Sequence, residues 1–408
     1  MARKRLPLPN VFYIFPIAYV SAPCLAEQFF FTLQSFEIAW AGLLCIAAVY
    51  CFSRWLFWRE SFLWIAPSLI FMVWAFGSYQ AFAGMFISVA LVSFLLAYQN
   101  PSVQLRGKYP WLLCCVKYIA VFCIGLALYV LAGKVVRLYY GIDATDYVNN
   151  MFLWKTIGFR AALRNVLSDC ARIYLGNWSV FFHWMFTPAM VICGVLLLSR
   201  GRNMKRTGFP LYVTALILLA LSPTFLSVVG GTHQPLRGQL AYVFVFAFFL
   251  AGITTFTKKS LAVLCCLISV FVTLRQGQSM TQLFHTAFVT YNQDKDLASS
   301  IYERIEQIAA DSGMADYPVV FVGSRSANLT DGAQKGEMIG VSFFEWDASS
   351  YCGSTGRIIG FCDTLGYDME LPTPEEAAFA QAQAASMPVW PATGSVQAVN
   401  GIMIIRLS

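Results

Sequence analysis

The chain has 408 residues, 58% hydrophobic and only 12% charged, with a formal net charge of +7. Its mean hydropathy of +0.62 and its long apolar runs exclude the ordinary soluble classes and point to a polytopic membrane protein. The positive balance is no nucleic-acid signal, because the cations sit in short clusters beside apolar runs.

Met1–Asn10 carries Arg3, Lys4 and Arg5 and reads as an uncleaved signal-anchor start, since no small-residue cleavage site follows. Nine spans are then expected: Val11–Cys24, Phe36–Leu56, Phe62–Gly77, Gln80–Tyr98, Trp111–Ala132, Ser179–Ser199, Phe209–Val229, Gln239–Phe256 and Ser260–Leu274. Several are nearer 15 residues than 20, so a short one could be re-entrant. Loop cations orient them. Arg3-Lys4-Arg5, Arg54 with Arg59, Arg106 with Lys108, the run Arg200 to Arg206, and Lys258-Lys259 all fall on one side. The amino terminus is therefore expected inside, and everything beyond about Gln276 outside.

That orientation gathers four outer segments: Leu25–Ser35, Ser78–Gln80, the long loop Gly133–Trp178, and Gly230–Arg237. In the last, glycines and a proline make a turn, and His233, Gln234 and Arg237 place donors at the mouth of a helix pair. Arg237 reads either as a snorkelling anchor or as a hook for an anionic head group. The long loop holds Asp143, Asp146 and Asp169, and an amphipathic stretch from Trp154 to Leu167. There Ile157, Ala161, Arg164 and Leu167 recur at helical spacing, so it is expected along the interface, with Arg160, Arg164 and Arg172 towards head groups.

Residues 1–277 form the expected membrane domain, and the chain changes character at Gln278. Phe284, Phe288, Tyr291, Ala298, Ile301, Ile305 and Ile308 predict one long amphipathic helix ending near Asp311–Gly313. Strands are expected at Pro318–Val322, Met338–Phe343 and Gly401–Leu407, with a helix over Thr373–Ser386 opened by Thr373 as cap and Pro374 in its first turn. Residues 278–408 thus read as a small extracytoplasmic α/β domain. Of twelve cysteines, eight lie in apolar runs as small hydrophobes; Cys352 and Cys362 are expected to pair as a disulfide. No zinc-type spacing, nucleotide loop, dinucleotide fingerprint or nucleophile elbow is present. Gly323-Ser-Arg-Ser after a strand reads as an ordinary turn.

The stretches Pro23–Ser35, Tyr79-Gln80-Ala, Pro235-Leu-Arg237 and Tyr291–Ala298, in that order, resemble the polytopic bacterial glucosyltransferases typified by phage-encoded O-antigen modification enzymes. Val319–Gly323, Gly340–Asp347, Met387–Pro391 and Val399 to Ser408 continue the likeness. The resemblance implies an integral-membrane glycosyltransferase fold and a polyprenyl-phosphate glucose donor. The acceptor would be O-antigen or another surface polysaccharide, with transfer on the outer, periplasmic side of the inner membrane. It implies a donor-lipid synthase and a flippase as partners and leaves a divalent metal open. It also implies an acidic base in the first outer loop and basic groups on the lipid phosphate. Here those are Glu27 and Arg237, with His233 and Gln80 as polar neighbours. Members usually carry further amino-terminal sequence, and an aspartate expected in the matched motif is Gln34 here. Either Glu27 is the base or the chain is a shortened, inactive relative. Two readings compete with it: a lipid or polysaccharide translocator, which would need a polar path through the spans, and a non-catalytic membrane partner that binds glycan.

Overall fold

The structure is a computed structural model that describes residues 13–58, 60–105, 107–142, 152–256, 258–346 and 350–408. The expectations placed on Arg3, Lys4, Arg5, Arg59, Arg106, Asp143, Asp146 and Asp347 lie outside the described residues. The chain divides into two units, Met1–Met280 and Thr281–Ser408.

The first unit is helical. Helix α1 (Ile14–Val20) and helix α2 (Cys24–Phe29) are short and meet at a corner closed by Pro23. They are followed by α3 (Thr32–Trp58), α4 (Ile65–Ser78, entered by a 3-10 turn), α5 (Phe82–Gln99) and α6 (Pro110–Tyr140). Next come α7 (Phe159–Leu175), α8 (Phe186–Asn203), α9 (Phe209–Leu221), α10 (Phe225–Gly230), α11 (Leu240–Ile253) and the first part of α12 (Lys259–Ser312), whose remainder belongs to the second unit. Each of the nine expected apolar runs carries a helix, but among the described residues five helices are long and apolar enough to cross a membrane. These are Thr32–Trp58, Phe82–Gln99, Pro110–Tyr140, Phe209–Gly230 and Lys259–Ser312; Phe62–Ser78 and Leu240–Ile253 are shorter. The first expected span is replaced by a helix of 7 residues.

Helix α11 organises this unit. Its sequence is apolar on every face, as a helix surrounded by others must be, and Leu240 through Ala247, Phe249, Leu250 and Ile253 are all buried. It packs against α1, α2, α5 and α8. Helix α6 is the opposite case, with most of its apolar side chains, including Leu112, Val116, Ile119, Val130 and Leu138, exposed. In a protein of this composition those side chains face lipid.

Gly125 explains one close approach. A Cβ there would crowd the end of the Met72 side chain, which glycine leaves room for where α6 meets α4.

The second unit has a three-stranded sheet of order β1-β3-β2, formed by β1 (Val319–Val322), β2 (Val396–Val399) and β3 (Ile402–Arg406). Strand β1 runs parallel to β3, and β2 antiparallel to it. One face packs on Ala298, Ile301, Ile305 and Ala309 of α12 together with Ile358, Ile359 and Phe361 of α13 (Thr355–Thr364). The other face carries Ala380 and Ala384 of α14 (Pro374–Ala384). Helix α14 opens with the expected Thr373 cap, completed by Glu376 into a reciprocal capping box.

Two expectations, the strand at Met338–Phe343 and the Cys352–Cys362 pair, differ from the structure. Met338–Phe343 is not a strand: Gly340 takes φ +81°, and Asp294 of α12 gathers the turn that follows. Its carboxylate accepts from the Ser342 hydroxyl at 2.6 Å and the Phe343 N–H at 2.9 Å. The expected long helix is present as α12, ending at Ser312; of its stripe Ala298, Ile301 and Ile305 are buried, while Phe284, Phe288 and Tyr291 are 41%, 65% and 45% exposed. Cys352 and Cys362 are separate buried thiols rather than a disulfide. Cys362 faces the α12–sheet core, while the Cys352 sulfur lies 3.6 Å from the Ser350 hydroxyl.

Candidate functional site

The site is built around the turn between α10 and α11. Helix α10 ends at Gly231, whose φ of +66° suits glycine at a helix C-terminus. A Cβ there would come within 3.0 Å of Ala162 and of the Trp154 ring, so close packing also requires it. The long loop folds back onto this point. The Leu153 N–H donates to the Gly230 carbonyl at 2.7 Å, and the Trp154 indole donates to the Val228 carbonyl at 2.9 Å. The Asn165 amide reaches the Gly231 carbonyl at 3.4 Å.

Asp169 is the clamp. It is 1% exposed, and its carboxylate accepts from the Ser227 hydroxyl and, at 3.0 Å, from the Gln234 N–H. His233 Nδ1 lies 3.3 Å from the same carboxylate and Arg172 Nη1 lies 3.6 Å from it. A buried carboxylate requires such partners, because desolvation without them costs several kcal/mol, on the order of a whole domain's margin. One side chain of α7 thus holds both sides of the turn. The buried face of α7 is Ala162, Val166, Asp169 and Ile173, on nearly the opposite side of the helix from Ala161, Arg164 and Leu167, the stripe expected along the interface. Leu167 is 59% exposed. Ala162, Val166 and Ile173 make a second apolar face, and an aspartate on it is the signal that singles out Asp169.

Beyond the turn, Pro235 leads into a 3-10 turn, Leu236–Gly238, and Gln239 caps α11. Helix α2 packs against this 3-10 turn and against α11. The segment with Glu27 and the segment with Arg237 are therefore brought together although more than two hundred residues separate them. Glu27 is 1% exposed. The Arg237 guanidinium lies 5.3 Å from the centre of the Phe31 ring, within cation–π range. Tyr79 also reaches this corner, its hydroxyl lying 3.6 Å from where a side chain at Gly238 would begin.

The other expected neighbours have different partners. His233 faces Asp169, and the Gln80 amide donates to the Tyr129 hydroxyl of α6 at 3.0 Å. Residues absent from the sequence-based set are Asp169, Ser227, Gln28 and Gln239. The last two are buried at the junction of α2 with the 3-10 turn and α11. Among the described residues, no three His, Cys, Asp or Glu side chains gather as a metal-binding group.

Comparison with known proteins adds the family. No curated protein and no solved structure matches the chain. The family profile described as glucosyl transferase GtrII matches residues 8–255, more than half of the 408 residues, and that range contains α2, the Asp169 clamp and the turn with Arg237. The chain belongs to the glucosyl transferase GtrII family, and is a membrane glycosyltransferase.

Proposed function

We propose that the protein transfers glucose from a polyprenyl-phosphate carrier to O-antigen or a similar surface polysaccharide on the outer face of the inner membrane. The observation that carries this reading is the meeting of α2 with the Leu236–Gly238 turn, which sets Glu27 and Arg237 in packed elements at the start of the most buried helix. A donor that cannot leave the bilayer must be met at the level of the interface. The start of α11 offers an anion the positive end of the helix dipole, and Arg237 adds a planar fork for phosphate oxygens.

In the reaction the acceptor hydroxyl oxygen bonds to the anomeric carbon as the bond from that carbon to the phosphate oxygen breaks. Glu27 takes the hydroxyl proton, and the lipid phosphate leaves with the bonding electrons, its charge held by Arg237. His233 and Gln80 act on this site by positioning, since Asp169 and Tyr129 already engage them. Asp169 keeps the turn in the shape that presents Arg237.

The test is donor choice. Membranes containing the protein are given radiolabelled glucose either as polyprenyl-phosphate glucose or as nucleotide-linked glucose, with the lipid-donor synthase absent. Label should reach polysaccharide only from the lipid donor. Transfer from the nucleotide sugar, with the lipid donor inert, would sink the reading.

A further inference from the structure

The same corner holds a second kind of group. Gln28, Gln239 and Gln276 are 1%, 3% and 3% exposed, and one amide end of each, Gln28 Oε1, Gln239 Nε2 and Gln276 Nε2, has no hydrogen-bond partner. Within Met1–Met280, these three are the buried side-chain polar atoms left unpaired among the described residues. They are not scattered. Gln28 belongs to α2, Gln239 caps the helix against which α2 packs, and Gln276 meets the corner between α1 and α2, its Oε1 accepting from the Ser21 hydroxyl at 3.5 Å.

Burying an amide without a partner is unfavourable, and an apolar side chain of the same shape would serve packing better. Methionine has nearly the same length as glutamine and is common in interiors like this one. Three such glutamines at one junction, in a unit where Asp169, Ser227, Ser222 and Ser88 are all hydrogen-bonded, therefore indicate groups whose partner arrives from outside. Amides carry no charge, so they do not compete with Arg237 for the phosphate. The unpaired ends supply one acceptor, Gln28 Oε1, and two donors, Gln239 Nε2 and Gln276 Nε2, and sugar hydroxyls satisfy both kinds.

We propose that Gln28, Gln239 and Gln276 form the hexose-binding part of the site, their unpaired amide ends hydrogen-bonding the hydroxyls of the transferred sugar. The inference rests on the reading that the adjoining Arg237 holds the lipid phosphate. It assigns affinity for the sugar to the glutamines and affinity for the carrier to the arginine.

The experiment measures thermal shifts of the purified full chain in detergent with two probes, polyprenyl-phosphate glucose and polyprenyl phosphate without sugar. In the wild type both should raise Tm, the glucosylated lipid further. Gln28→Met, Gln239→Met and Gln276→Met should each bind the glucosylated lipid about two- to tenfold more weakly, the range for losing one neutral hydrogen bond. Each should bind the bare carrier as before and have an unliganded Tm equal to or above wild type. Retention of the sugar-dependent increment by all three variants would overturn the inference. So would an unliganded Tm well below wild type, which would make the amides structural, or a wild type that gains nothing from the sugar while still binding the carrier. If neither lipid shifts the wild type, the phosphate reading falls and takes this one with it.

Discussion

Removing the Asp169 carboxylate should release the turn that carries Arg237. In the folded protein that carboxylate accepts from the Ser227 hydroxyl and the Gln234 N–H, both across to the α10–α11 turn, and is 1% exposed. Hydrogen bonds to a charged group contribute about 1.5–3 kcal/mol each, and Asp169→Ala also strands a buried hydroxyl and a backbone N–H. His233 and Arg172, with side chains 38% and 31% exposed, add less because solvent screens them. The local loss is therefore about 3–5 kcal/mol, an opening of the turn that is on the order of a hundredfold or more easier. Hydrogen–deuterium exchange of the peptide spanning Val228–Gln239 reads this directly, and glucose transfer should fall with it. Asp169→Asn keeps the shape and one acceptor, so it should fall between Ala and wild type. Exchange in Asp169→Ala that matches wild type across this peptide would refute the clamp.

Gly176→Ala should destabilise the first unit. Gly176 ends α7 at φ +68°, and a Cβ there would lie 2.7 Å from the Trp184 backbone nitrogen. Strain plus backbone displacement should cost about 1–3 kcal/mol in thermal unfolding. Asp294 gives a pH signature. Burial pushes its carboxyl up to about 6, against the opposing pull of its bonds from Ser342 and Phe343. The folded state therefore holds the proton between about pH 4 and 6 while the unfolded chain does not. Stability should fall as pH rises across that window and level off above it, by about 2–3 kcal/mol. Asp294→Asn should flatten this dependence in thermal melts taken from pH 4 to 7. Alkaline phosphatase fused after Ser408 should be active and after Lys205 inactive, as expected for an outer carboxyl terminus and an inner Arg200–Arg206 loop. The reverse pattern would move the proposed site to the wrong face.

Much of the architecture was written in hydropathy and turn residues. The apolar runs gave the helices, Thr373 and Pro374 gave the start of α14, and Gly313 marked the end of α12. What the pattern could not give was which face or partner each element takes. Gly340-Val-Ser-Phe-Phe has strand-forming residues, but its backbone is captured by Asp294, 46 residues before Gly340, a contact that no local preference encodes. On α7 the stripe read for the interface lies nearly opposite the face that packs on the protein, and Asp169 belongs to that second face. Glu27 and Arg237 could be named from their segments. Their meeting depends on how α2 packs at the start of α11, which is a property of the assembled helices rather than of either stretch.

The most direct test of the account is glucose transfer from polyprenyl-phosphate glucose by Arg237→Lys and Arg237→Ala, at equal protein level in membranes. A phosphate held by the planar fork of arginine loses its paired geometry even when the charge is kept. At about 1.5–3 kcal/mol for a charge-assisted contact, Arg237→Ala should lose roughly ten- to a hundredfold in kcat/KM, and Arg237→Lys a substantial part of that. Near wild-type transfer by both variants would make Arg237 an interfacial anchor and contradict the site.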